Sequence, residues 1–344
     1  MAYTDIDKPT DYFNTVLYTG NGSTQSITGF GHAPDLIWTK ERNNAKDHSW
    51  YDSVRGANQL LESNKTGTDS VTSAGISSFD SDGFTTGNFA QTNDSGDSYV
   101  SWGWLAGGTA SSNTDGSITS SVSASTTSGF SIVSYTGTGS NATVGHGLSA
   151  VPRMIIVKTR DGVNSWVVQH GSLGAGKALN LDSTGAVQTY DPYWNGTEPT
   201  TSVFSIGTDG RTNGSSENFI GYCFAEKKGF SKFGSYTGNG NADGTFVYTG
   251  FKPSWVMIKR TDSANSWTIR DSKRSTFNVM QKSLFADLSN AEADNSNYNF
   301  DFLSNGFKQR NSNGIDNASG GTYIYMAFAE NPFVTSGGIP TTAR

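Results

Sequence analysis

The stretch Gly229–Gly240, GFSKFGSYTGNG, with Phe251–Asp271, FKPSWVMIKRTDSANSWTIRD, decides how this 344-residue chain is read, because two earlier copies stand upstream of it. The first copy gives Tyr18-Thr19-Gly20-Asn21-Gly22, Pro34, Leu36-Ile37-Trp38-Thr39-Lys40 and Trp50. The second gives Tyr135-Thr136-Gly137-Thr138-Gly139, Pro152, Met154-Ile155-Ile156-Val157-Lys158 and Trp166. Tyr18, Tyr135 and Tyr236 are 117 and 101 residues apart, Pro34, Pro152 and Pro253 are 118 and 101, and Trp50, Trp166 and Trp267 are 116 and 101. Markers that keep step this closely identify tandem repeats. The boundaries predicted are an N-terminal arm over 1–13 and repeats over 14–108, 109–228 and 229–344.

Within each copy the pattern is that of short strands and tight turns. Glycine is abundant at 41 residues, yet 8 Trp, 14 Tyr and 20 Phe are too many aromatics for a disordered chain. Val100, Trp102 and Trp104 share one face at period two. Asn21-Gly22 and Asp82-Gly83 supply hairpin turns. Residues 109–128, rich in Ser and Thr, form a linker in which 118–123 has the makings of an edge strand. Short helical pieces are expected around 57–64 and 278–293, where Leu60 with Leu61, and Val279 with Leu284 and Leu288, would face inward. The fold class predicted is all-β, three tandem antiparallel β-sandwiches of jelly-roll or lectin-like type.

The net charge of −6, with basic residues scattered, speaks against a nucleic-acid partner. Apolar runs are far too short for a membrane-spanning helix, and the start MAYTDIDKPTDYF lacks the features of a secretory signal. The arm over 1–13 reads either as a fraying end or as a segment that docks on a neighbouring subunit. Cys223 stands alone inside an apolar run and reads as a buried thiol. His32, His48, His146 and His170 have no second ligand at metal spacing, so neither metal nor cofactor is expected. Asp80-Ser81-Asp82-Gly83 looks like a calcium loop, but the third copy keeps only its turn, as Leu303-Ser304-Asn305-Gly306. The Gly-x-Gly pairs lack the third glycine and following helix of a dinucleotide loop. No Gly-x-Ser-x-Gly elbow is present and the seven glutamates are dispersed, so no catalytic residue is assigned and no enzyme activity is expected. One segment escapes the repeat, Tyr190-Asp191-Pro192-Tyr193-Trp194-Asn195-Gly196; its Tyr190, Tyr193 and Trp194 are the candidate contacts for a sugar or a protein partner, or else pack on their own domain.

These motifs resemble a family of tandem β-domain structural proteins of tailed bacteriophages, marine and cyanobacterial ones especially. The residues that carry the resemblance include Ser53-Val54-Arg55-Gly56, 78–84, 99–108, 129–139, 224–240, 256–260, 301–307 and 320–333, nearly the whole chain. The resemblance implies a non-enzymatic virion component, assembled in the host cytoplasm and later exposed outside the cell. A tail-fibre or appendage protein for host attachment is the expectation, with a capsid decoration protein and a carbohydrate-binding module as alternatives. Other virion proteins, further copies of the chain in a homo-oligomer, preferably a trimer, and a host surface glycan are the partners this implies.

Overall fold

A computed structural model describes residues 3–341. The chain is all-β, and its helices are single turns such as 90–93 and 210–213. Each repeat contributes one large antiparallel sheet. In the first its strand order is Phe13–Thr19, Ser98–Trp104, Leu36–Glu41, Ser49–Asp52. In the second, Phe130–Thr136, Asn218–Ala225, Pro152–Thr159 and Val167–His170 repeat that order, and in the third Ser231–Thr237, Thr322–Pro332, Phe251–Arg260 and Thr268–Asp271 do so again. The second sheet alone is widened at its first edge by Ser111–Asn113 and Ser120–Ser125, so the Ser- and Thr-rich stretch is an edge hairpin. A smaller sheet covers the outer face of each large one: Gln25–Thr28, Gly83–Thr86 and Ile76–Asp80; Ala142–Gly145 and Val203–Ile206; Phe246–Tyr248, Gly306–Gln309 and Phe300–Leu303.

Period-two alternation gives each large sheet two apolar faces, and they serve different cores. One face packs on the repeat's own small sheet, as Ile37 and Phe84 do in the first copy, Val157 and Phe204 in the second, Ile258 and Phe307 in the third. The other face enters a single cluster drawn from all three repeats, including Trp38, Trp102, Trp104, Ile156, Tyr222, Phe224, Trp255, Met326 and Phe328. Trp104, Phe224 and Phe328 meet as a triangle, with ring centroids 6.4, 5.8 and 6.2 Å apart. Where the linear pattern reads as three sandwiches in tandem, the fold wraps three repeats around one shared interior.

Strand register corrects one repeat marker. Leu36 pairs with Trp104 and Asp52, Met154 with Phe224 and His170, and Trp255 with Phe328 and Asp271. Counting back from Asp52, His170 and Asp271, the counterpart of Trp166 and Trp267 is His48, two residues before Trp50. These three side chains occupy equivalent seams. Trp166 Nε1 donates to Glu62 O at 3.0 Å, Trp267 Nε1 to Asn180 O at 2.9 Å, and His48 Nε2 reaches Phe285 O at 2.9 Å. Backbone bonds repeat the ring: Asp69 N to Arg160 O, Val187 N to Thr261 O and Glu292 N to Arg42 O. The second repeat is thus bound to the first, the third to the second, and the first to the third. The body is closed, with approximate three-fold symmetry.

The expected helical pieces are not formed. Leu60 packs in the first repeat's outer core while the adjacent Leu61 enters the shared one. Neighbours that face opposite ways require an extended chain, and Gln59–Leu60 and Lys282–Phe285 are strands. The described part of the N-terminal arm lies on its own chain, at the junction of the second and third repeats and on the third: Asp5 N donates to Lys228 O at 3.0 Å, and the Asp7 carboxylate accepts from Ser336 N at 2.6 Å.

Candidate functional site

The Tyr190–Gly196 loop folds back on its own repeat. Tyr193 and Trp194 are buried in the second repeat's outer core, beside Phe204 and Ile206. The loop is pinned by Gly207 N and Thr212 Oγ1, both donating to Tyr193 O, and by Asp209 N donating to Pro192 O. Glycine is required at 207, since a Cβ there would sit 2.2 Å from Pro192 O. Outside, the Arg211 guanidinium lies 4.5 Å from the Tyr193 ring and is held by Asp209 through bonds of 2.9 and 3.0 Å. Burial pushes the Tyr193 phenol up to about 12. Of the three candidate contacts only Tyr190 keeps an exposed ring, at 41%. Buried rings at 193 and 194 leave no face for an external ligand.

The Gly-x-Gly loops share a buried plug that the sequence reading missed. Asn93, Asn213 and Asn317 each accept, through the side-chain oxygen, the backbone N–H of the middle residue, Asn21, Thr138 or Asn239, at 2.8, 2.7 and 3.0 Å. Their amide nitrogens donate to carbonyls on both sides of the loop, for example Ser140 O and Gly207 O, each at 2.6 Å. The repeat tyrosines brace the same turn: Tyr18, Tyr135 and Tyr236 hydroxyls donate to Thr92 O, Thr212 O and Asp316 O. The signal was available as Thr-Asn, Thr-Asn and Asp-Asn at matching places in the three copies. Asp82 likewise serves a turn, accepting from Gly29 N and Gly31 N, bonds that hold its carboxyl below the usual range.

Two buried histidines and two buried lysines are committed to structure. His48 accepts from Trp38 Nε1 at Nδ1, 2.8 Å away, which places its proton on Nε2 facing Phe285 O. His170 accepts Ser172 N at Nδ1, and its Nε2 faces Tyr325 O. Burial lowers both, His170 to about 4. Lys158 Nζ donates to Thr66 O of the first repeat and Lys259 Nζ to Thr184 O of the second. Burial lowers each of these lysines to about 8, and Lys40 as well. The Cys223 thiol is buried and pushed up by desolvation. Among the described residues no three His, Cys, Asp or Glu side chains group to hold a metal.

A surface cleft of about 290 Å³ opens on the third repeat, between the arm, the 226–232 connection and the segment after Pro332. Tyr3, Tyr248 and Phe333 line it, residues 61%, 60% and 40% exposed. Glu226 Oε1 and Lys232 Nζ form a part-exposed pair of 2.7 Å within it, and the Lys228 ammonium stands 6.0 Å from the Tyr3 ring. Strand pairing sets Tyr248 opposite Gly306, as Thr28 opposite Gly83 and Gly145 opposite Val203. An aromatic where its counterparts are threonine and glycine is a difference between copies that the sequence displays, though only register reveals it.

The geometry defines an all-β chain in which three unequal repeats close around one interior. The chain belongs to a family described as a domain of unknown function, DUF7483, matched over residues 8–332. That one span takes in all three repeats. Among curated proteins none matches the chain.

Proposed function

We propose that this chain is a non-enzymatic structural protein on the exterior of a tailed bacteriophage particle, a tail-fibre or appendage component that contributes to host attachment. The sequence resemblance supplies the setting, and the three-fold closure is the observation that carries the reading. Seam side chains, buried lysines and the buried His48 and His170 are spent on rigidity, while the copies differ on their outer surface. A rigid body with variable outer loops suits repeated weak contacts at a surface. Assembly in the host cytoplasm, exposure outside the cell and association with other virion proteins belong to the same reading.

Capsid decoration is the second reading, favoured by the internal three-fold axis, because one copy would then match a three-fold position of a shell without trimerising. Antibody labelling of virions in the electron microscope separates the two: label confined to the tail is expected, and label over the head overturns the tail reading in favour of decoration. Light scattering of the isolated chain decides whether a homotrimer forms as well.

A further inference from the structure

We propose that the cleft bounded by Tyr3, Tyr248 and Phe333 is a saccharide-binding site. Exposed large aromatic rings are uncommon on a soluble surface, and three converging on one cavity mark a recognition site. Nothing in the fold requires Tyr248: the equivalent strands carry Thr28 and Gly145 and still pair with their neighbours. A side chain at position 250 would come within 3.5–3.7 Å of the Tyr248 phenol, so glycine there, at φ +82°, leaves that ring uncovered on this side, and Tyr248 is 60% exposed. The polar element of the cleft is the Glu226–Lys232 pair, with side chains 32% and 37% exposed. A carboxylate beside an ammonium offers an acceptor and a donor about one hydrogen-bond length apart. Adjacent hydroxyls of a sugar ring answer both at once, while the C–H face of the same ring covers an aromatic plane. A purely apolar ligand would bury this ion pair without replacing its contacts with water, a cost that disfavours it. The cavity is at the small end of ligand sites and fits one or two sugar units.

This assignment stands on the cleft alone, and it deepens the attachment reading by naming the chemistry of the surface bound. The test applies the labelled full-length chain to an array of neutral hexose, N-acetylhexosamine and uronate oligosaccharides, alongside an array of extended peptides. Binding to at least one glycan class is expected. For the best glycan, calorimetry with Tyr248→Ala should show a loss of about tenfold or more, the size of one aromatic anchor, and Tyr248→Phe should retain affinity within about twofold because the ring face remains. Glu226→Gln should weaken binding as well. Thermal unfolding of Tyr248→Ala should match the parent, since the ring is exposed. Capture by peptides alone, no capture by any glycan, or unchanged affinity in both Tyr248→Ala and Glu226→Gln overturns the proposal. Cell binding separates it from the attachment reading: host cells bound equally by parent and Tyr248→Ala remove the cleft and leave attachment standing, whereas glycan binding without cell binding does the reverse.

Discussion

Arg55 shows how one position is solved differently in three copies. Its guanidinium is buried, bonded to Asp52 at 2.5 Å and to Asp69 at 3.0 Å, and Arg274 repeats this with Asp271 at 2.5 Å and Glu292 at 2.9 Å. In the second repeat the equivalent residues are His170, Leu173 and Val187, so an ion network has been exchanged for packing against the shared core. The neighbour across the seam explains the histidine. Asp52 accepts from Tyr222 Oη and Asp271 from Trp102 Nε1, but the third counterpart is Met326, which has no donor. His170 instead points its Nε2 at Tyr325 O. Removing one partner of a buried pair strands the other, whereas removing both as apolar groups is close to neutral. Arg55→Leu leaves both Asp52 and Asp69 without that cation and should cost about 3–5 kcal/mol, and the double variant Arg55→Leu, Asp69→Val, which leaves only Asp52 so stranded and frees the part-exposed Arg160, should be less destabilised than the single one, measured by urea unfolding. Acid should act through the histidines. His170 titrates near 6.5 when unfolded and about 4 when folded, so the unfolded chain binds the extra proton between those values. The contribution of His170 to stability is full above pH 6.5 and is lost as pH drops toward 4. Replacing His170 by Gln should flatten that part of a chemical-denaturation profile.

At the scale of the element, the seams are made by one position, the residue immediately before the fourth strand of each large sheet. Trp166 Nε1 donates to Glu62 O and Lys65 O, so Trp166→Phe keeps an aromatic ring but removes the seam donor from two part-buried carbonyls, of which Glu62 O retains Lys65 N. A loss of about 1–3 kcal/mol is expected, visible as a lower thermal midpoint; an unchanged midpoint would show that the seam is held by packing alone. Strands were legible where alternation was strong. Val100, Trp102 and Trp104 share one face as read, and that face is the one turned to the shared core; the matching strand ends Phe224-Ala225-Glu226 and Phe328-Ala329-Glu330 place their Phe in that core, their Ala in the outer ones, and their Glu beside lysines. Leu60 and Leu61 misled because adjacent leucines suit a helix and a two-faced strand equally. His48 was hidden because a nearby tryptophan offered a better letter match than the true counterpart. Tyr193 and Trp194 looked like contact residues because an aromatic-rich loop without a repeat partner reads alike whether it covers its own sheet or a ligand. Only the small sheet beneath it distinguishes the two.

For the whole molecule, the question is whether three repeats make three cooperative units or one. Repetition is visible in sequence, but closure is not, since no local pattern says that the first copy's His48 will meet the third copy's Phe285. Closure has an energetic consequence. Cut apart, each repeat would expose its inner face; the third alone would uncover Trp255, Met257, Ile269, Ile324, Met326 and Phe328, all buried now. At about 1.5–3 kcal/mol per large apolar side chain, these six would forfeit on the order of 10 kcal/mol, comparable with the whole stability of an ordinary domain. A single repeat therefore has no stable folded state of its own, and opening one seam weakens the other two by exposing the same core. The full chain is expected to unfold in one calorimetric transition with equal calorimetric and van't Hoff enthalpies, unlike tandem domains on short linkers, which melt separately. Trp166→Phe, at the seam between the first two repeats, should shift that single transition without splitting it. Two resolved transitions, or a folded fragment of residues 229–341, would show that the repeats are stable alone and that the shared core joins domains already formed.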